Sequence, residues 1–261
     1  MGVLNVTPDS FSDGGRFLDP ESAYARMRDM AQQGAAICDV GAESTRPGAA
    51  PVPLEKELRR LAPVLALVQE RGAPLPLSVD TSKAPVAAAA LGAGAVLVND
   101  VTAGRGDPAM LPLVAERGAA LCLMHMRGDP RTMQDDPRYG DVVAEVRDFL
   151  AARLEEALAA GVREEKVLLD PGIGFGKTLQ HNLALLAGLP ALASLGRPLV
   201  VGVSRKGMIG ALTGRETGDR LAGSLAAALA AVARGAAVVR AHDVRETVDA
   251  LAVWSAVQGA S

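Results

Sequence analysis

Asn, His and Lys are scarce in this chain, at three, three and five copies in 261 residues, and most of them sit just behind short apolar runs. Asn5 interrupts the run Val3–Val6, and Asn99 closes the run Ala95–Asn99. His125 and His242 follow Ala120–Met124 and Ala236–Arg240, while Lys83, Lys177 and Lys206 come within several residues of three further runs. Asp39, Asp80, Asp100 and Asp170 lie at the ends of runs of the same kind. Polar groups beside buried segments are costly unless they are paired or bound to something. Their gathering at the ends of apolar runs marks a site.

Asp80, Asn99, Asp170 and Lys206 suggest what such a site would bind. A carboxylate offers two acceptors in a fork, an amide offers a donor and an acceptor, and an ammonium only donates. That set suits a flat heterocycle with an amino-amide edge, such as the 2-amino-4-oxo edge of a pterin or guanine. Asp170 would accept from the ring N–H and the exocyclic amine, and Lys206 would donate to the ring oxygen. Asp39 and Asp100 read equally well as structural partners of other rim residues, and His125 reads as a satisfied structural histidine.

A second group is cationic or amide-rich: Asn5, Thr45, Arg46, Arg240 and His242. Arg46 stands in the Gly- and Pro-flanked stretch "GAESTRPGA", and Arg240 and His242 are alternate residues of an extended segment, which point the same way. Arg and His presented together suit a phosphate or diphosphate. Asn5 adds a neutral oxygen beside them, and Mg2+ characteristically takes few protein oxygens alongside phosphate oxygens and water. The run "DPGIGFGKT" ends like a phosphate-cradling loop, but Pro171 stands where that motif has its first Gly. Its glycines are expected instead to let the backbone pass close under a flat ligand, with Phe175 beside it.

These residues need elements to position them. Eight apolar runs alternate with eight amphipathic segments: Val3–Val6, Ala36–Val40, Leu75–Val79, Ala95–Asn99, Ala120–Met124, Val167–Leu169, Leu199–Val203 and Ala236–Arg240, separated by Glu21–Gln33, Leu54–Glu70, Ala84–Leu91, Pro108–Arg117, Val142–Ala160, Leu179–Ala193, Asp219–Arg234 and Val244–Val257. Continuous apolar runs fit parallel strands covered on both faces. Eight such units in 261 residues, with no linker between them, predict an α/β fold of the (β/α)8 TIM-barrel type spanning residues 1–261 as a single domain. Active sites of such barrels lie where the strands end, which is where the rare polar residues fall.

Composition sets bounds. Apolar residues make up 49% and aromatic ones 3%, so the core must be aliphatic. A net charge of −3 argues against a nucleic-acid partner or an anionic membrane surface. No membrane span or signal peptide is evident. Cys38 and Cys122 each sit inside an apolar run, which suits buried reduced thiols and a cytoplasmic location.

Eight motifs in order, each at a predicted strand end, then closely resemble dihydropteroate synthases: "MGVLNVTPDSFSDGG", "DVGAESTRPGA", "SVDTSK", "LVND", "LCLMHMRG", "LLDPGIGFGK", "VGVSRKGMIG" and "VRAHDV". The resemblance implies condensation of 6-hydroxymethyl-7,8-dihydropterin diphosphate with 4-aminobenzoate, giving 7,8-dihydropteroate and pyrophosphate for folate synthesis. By it, Asp80, Asn99, Asp170 and Lys206 hold the pterin in a pocket lined by Val101 and Met124. Asn5 is the Mg2+ ligand, Thr45, Arg46, Arg240 and His242 grip the diphosphate, and Ser204 and Phe175 match residues at the 4-aminobenzoate site. The resemblance also implies a homodimer, and a "TPDSFSDGG" lid that closes over the diphosphate. The chain departs from the family in two places: the first strand begins almost at Met1, and Ile173 stands where Phe is frequent. A pterin-dependent methyltransferase would share the Asp/Asn grip but needs neither Arg240-x-His242 nor that lid. A non-catalytic pterin-binding homologue is separated from the synthase only by assay.

Overall fold

The computed structural model describes residues 1–7 and 19–260. Eight strands run β1 Gly2–Asn5, β2 Cys38–Gly41, β3 Leu77–Asp80, β4 Leu97–Asp100, β5 Ala120–Met124, β6 Val167–Asp170, β7 Leu199–Gly202 and β8 Ala236–Arg240. They pair in parallel in sequence order. The sheet curls until Val3 N–H donates to Ala241 O at 3.1 Å and Ala241 N–H to Met1 O at 2.9 Å, joining the last strand to the first. The helices are α1 Pro20–Gln32, α2 Leu54–Arg71, α3 Ala84–Gly92, α4 Met110–Arg117, α5 Val142–Ala159, α6 Leu179–Ala187, α7 Leu189–Ala193, α8 Gly207–Thr213, α9 Leu221–Val232 and α10 Val244–Gln258. The (β/α)8 expectation is met.

Local chemistry sets the helix boundaries. Asp19 accepts from the Glu21 and Ser22 amides with Pro20 in the first turn, and Asp141 caps α5 in the same way. Thr178 and His181 form a reciprocal capping box at the start of α6. One expected helix, Leu179–Ala193, is two, because α6 stops at Gly188 and Pro190 opens α7. Pro190 has no N–H to continue a helical ladder.

Alternation along the strands builds two distinct layers. Cys38, Val40, Leu77, Val79, Val98, Leu121, Leu123, Leu169 and Val201 belong to the main aliphatic core beneath the helices. The inward positions between them form a small apolar plug of Leu97, Cys122 and Val200, with Leu168 and Val238 packed against it. Two residues further along each strand the same inward column reads Asn99, Met124, Gly202, Asp170 and Arg240, which line an open cavity at the strand ends. Apolar floor and polar ceiling are therefore consecutive turns of one period-2 pattern. Cys38 and Cys122 are buried and free, and burial pushes Cys38 up to about 12.

Candidate functional site

The cavity at the carboxyl ends of the strands gathers Thr45, Asp80, Asn99, Val101, Met124, Asp170, Phe175, Ser204, Lys206, Arg240 and His242. Val3, Ile173 and Gly202 also line it and were not anticipated as site residues. The signal for Val3 and Gly202 was available, since each lies two positions before a residue already singled out.

On one side, Asp80 and Asn99 are register partners across β3 and β4, and Met124 and Asp170 are partners across β5 and β6. The Asn99 amide nitrogen donates to Asp39 Oδ2 at 3.0 Å, so its carbonyl oxygen faces the ligand space. Asp39 is fully buried and also accepts from Ser78 Oγ at 2.6 Å. It is a structural partner that orients the site from below. Asp170 Oδ1 accepts from the Gly172 amide at 2.7 Å, which fixes the carboxylate plane and leaves Oδ2 for a ligand N–H. Burial raises Asp170, opposed by that amide and by Lys206.

The Lys206 ammonium has no hydrogen-bond partner among the described residues and lies 4.1 Å from the centre of the Phe175 ring. A flat ligand there would meet a cation and an aromatic face together. Burial lowers Lys206 to about 8, partly offset by Asp170 and Asp80. It is an ammonium at neutral pH, yet close to titrating.

Arg240 departs from its expected place in a free anion grip. Its Nε donates to Asp39 Oδ2 at 2.6 Å and one terminal nitrogen to Asp80 Oδ2 at 2.8 Å. These carboxylates hold its pKa above the ordinary range although burial opposes them. Burial pushes Asp80 above the usual carboxylate range against the pull of Arg240. The guanidinium thus ties the cavity-lining Asp80 carboxylate to buried Asp39, and only its remaining terminal nitrogen is left for an anion. An inward position deep in the barrel brings an Arg to buried carboxylates before any ligand arrives.

The other side of the cavity is built on Ser204 and His242. The His242 backbone N–H donates to Ser204 Oγ at 3.2 Å, and His242 Nδ1 lies 3.1 Å from the same oxygen. With the hydroxyl donating to Nδ1, the imidazole carries its proton on Nε2, the tautomer that aims a donor away from Ser204. Burial and the charges of Arg240, Arg205 and Arg46 lower His242 to about 4, so it is a neutral donor at pH 7. Arg46 is exposed on the β2–α2 loop and lies outside the cavity wall, within electrostatic reach of His242. Asn5 is half-buried at the end of β1, beside Gly41, and is not part of the wall. The "TPDSFSDGG" stretch falls almost wholly outside the described residues.

No group of three or more His, Cys, Asp or Glu able to hold a metal occurs among the described residues. A single neutral oxygen from Asn5 suits a cation held chiefly by a diphosphate and water rather than a closed protein cage.

The other rim cations have structural tasks. Lys177 donates to Gly172 O and Phe175 O, both at 2.9 Å, and lies 2.9 Å from His125 Nδ1. This closes off a phosphate-loop role for "DPGIGFGKT". Two of its glycines also make a contact that was not anticipated. A Cβ on Gly172 would sit 1.9 Å from His125 O, and one on Gly176 would sit 2.4 Å from Arg127 O. Both have positive φ, so these two turns pack backbone to backbone against the β5–α5 segment. Ile173 and Phe175 of the same loop line the cavity, and a Cβ on Gly174 would sit 3.2 Å from the Lys206 side chain. Asp100 accepts from the Thr102 and Gly104 amides and shapes the turn after β4.

A barrel with a paired-acceptor and cation pocket at its strand ends defines a pterin-binding enzyme, and that family's pattern matches residues 1–242. The chain belongs to this family, and within it to the dihydropteroate synthases. It is 49% identical to the dihydropteroate synthase of Neisseria meningitidis serogroup B, covering 98% of this chain and 92% of that one. It is 47% identical to that of Escherichia coli K12, covering 100% and 92%. Among solved structures, Xanthomonas albilineans dihydropteroate synthase with 4-aminobenzoic acid is 52% identical with a TM-score of 0.91, covering 98% and 92%. The same organism's enzyme in complex with 7,8-dihydropteroate is 49% identical with a TM-score of 0.88, covering 98% and 92%.

Proposed function

We propose that this chain condenses 6-hydroxymethyl-7,8-dihydropterin diphosphate with 4-aminobenzoate, giving 7,8-dihydropteroate and pyrophosphate. The observation that carries the reading is one cavity with two unlike walls. Asn99, Asp170 and Lys206 offer an acceptor–acceptor–donor edge, and a neutral His242 hydrogen-bonded to Ser204 offers a donor to an anion. The crystallised relatives with 4-aminobenzoic acid and with 7,8-dihydropteroate support the same substrates.

In this reading Asp170 Oδ2 and Asn99 Oδ1 accept from the ring N–H and exocyclic amine, and Lys206 donates to the ring oxygen. Asp80 and Arg240 complete the floor, and Val101 and Met124 flank the ring. The bond between the pterin methylene carbon and the diphosphate oxygen breaks with its electron pair on oxygen. His242 Nε2–H, Thr45, Arg46 and the free nitrogen of Arg240 stabilise that charge. The electron-rich dihydropterin spreads the positive charge left on the methylene. The arylamine of 4-aminobenzoate, seated beside Ser204 and Phe175, forms the new carbon–nitrogen bond and gives up a proton to water. Its nitrogen is neutral at pH 7, so no strong base is required.

Mg2+ held by Asn5 and the diphosphate would supply further charge compensation to the leaving group. The reading includes a homodimer, checked by analytical ultracentrifugation. It also includes a cytoplasmic location, which the two buried free thiols support. No helix of the described residues is long and apolar enough to cross a membrane. Incubating the protein with both substrates and Mg2+ should yield a product with the mass of 7,8-dihydropteroate. Binding of the pterin without product under those conditions would leave a pterin-binding protein and overturn the synthase reading.

A further inference from the structure

Lys83 lies outside the cavity just described, at the end of the β3–α3 turn, and two carboxylates from different elements hold it. Its ammonium donates to Glu43 in the β2–α2 loop and to Glu57 Oε2 on α2, the latter at 2.6 Å. Glu57 is fully buried and takes a second bond from Thr81 Oγ1 at 2.7 Å. Glu43 uses its other oxygen to accept from the Val52 amide at 2.7 Å, so it bridges the two ends of the loop that carries Thr45 and Arg46.

The loop needs such a tether because little packs beneath it. Ala49, Ala50 and Pro51 roof a second hollow, which Thr45, Asp80 and Val101 share with the first cavity. Over that hollow the loop makes one backbone bond to the far side, from Gly48 N–H to Pro130 O at 2.8 Å. Side-chain packing does not fix the loop from below. Polar anchors at its ends do.

We propose that Lys83 is a positioning residue: through Glu43 it holds the β2–α2 loop where Thr45 and Arg46 meet the diphosphate. This rests on the function proposed above for Thr45 and Arg46, but the tether itself does not.

Lys83→Met, Glu43→Gln and Lys83→Arg test it, with two readouts. Hydrogen exchange at the amides of residues 43–52 reads the tether alone. It should accelerate at least about tenfold in Lys83→Met and Glu43→Gln, with strand amides unchanged. Steady-state kinetics read the positioning. kcat/KM should fall about 10- to 100-fold in both variants, affinity for 6-hydroxymethylpterin lacking the diphosphate should stay within about twofold, and Lys83→Arg should recover much of the loss. If Lys83→Met fails to fold because Glu57 is left buried and unpaired, Lys83→Met combined with Glu57→Gln carries the same comparison.

Unchanged exchange in the loop overturns the tether. Loosened exchange with normal kcat/KM overturns the positioning role, and Arg46→Ala then locates the error. If that variant is impaired, only the positioning idea has failed. If it is normal, the reading of the loop as part of the active site has failed.

Discussion

The side-chain amide of Asn99 donates to Asp39 Oδ2 at 3.0 Å, and this bond decides which end of the amide a ligand meets. Asp39 touches no ligand space, yet it also fixes Ser78 and Arg240. Asp39→Asn puts a donor where three donors converge. A mismatched buried polar group costs about 1–3 kcal/mol, so thermal stability should drop and pterin affinity should fall about tenfold. Calorimetric titration with the pterin beside a melting curve checks both; stable protein with normal affinity would remove Asp39 from the orienting role.

Asp170→Asn should act on binding more than on folding. The Gly172 amide still has an acceptor if the new side chain turns its oxygen inward, but its nitrogen then faces the ligand N–H. Pterin affinity should fall at least about tenfold, from the same mismatch cost of about 1–3 kcal/mol. Retained affinity would mean that the pterin edge lies elsewhere.

Lys206 gives pterin binding a pH dependence of definite sign. Its pKa in the free protein is near 8, so raising the pH through 8 removes the donor to the ring oxygen, and affinity should decline. Lys206→Met should bind weakly and lose that decline above pH 8. Its effect on folding has the opposite sense. Because its pKa is lowered on folding, the unfolded chain holds more protons above pH 8, so its contribution to stability rises with pH until the unfolded lysine titrates.

His242→Ala and Arg46→Ala should separate the two walls. Each should weaken binding of the pterin diphosphate while leaving 6-hydroxymethylpterin binding within about twofold, since both act at the anion. Equal losses for the two ligands in competition calorimetry would mean that the cavity does not divide this way.

The barrel was legible because parallel strands covered on both sides read as short apolar runs, and because rare Asn, His and Lys residues stand at their ends. Strand starts shifted by two residues at Ala36, Leu75 and Ala95, where the apolar run begins before the ladder. The helix Gly207–Thr213 was missed because seven residues with two glycines carry no amphipathic period. Residue types also could not divide Arg240 between an anion and its buried neighbours, nor show that Lys177 would turn inward to carbonyl oxygens. Those outcomes depend on which inward positions share a layer, and that follows from register across distant strands. The role of Lys83, and which residues Asp39 would partner, were hidden for the same reason: each acts through a partner far away in sequence.

The account stands most directly on the coupling of its two substrates. Pyrophosphate release from 6-hydroxymethyl-7,8-dihydropterin diphosphate should be measured in the presence of Mg2+, with and without 4-aminobenzoate. The predicted result is release that rises and saturates with 4-aminobenzoate, one pyrophosphate for each arylamine consumed, and is lost in Asp170→Asn. Release that ignores 4-aminobenzoate, or none at all from protein that binds the pterin, would contradict it.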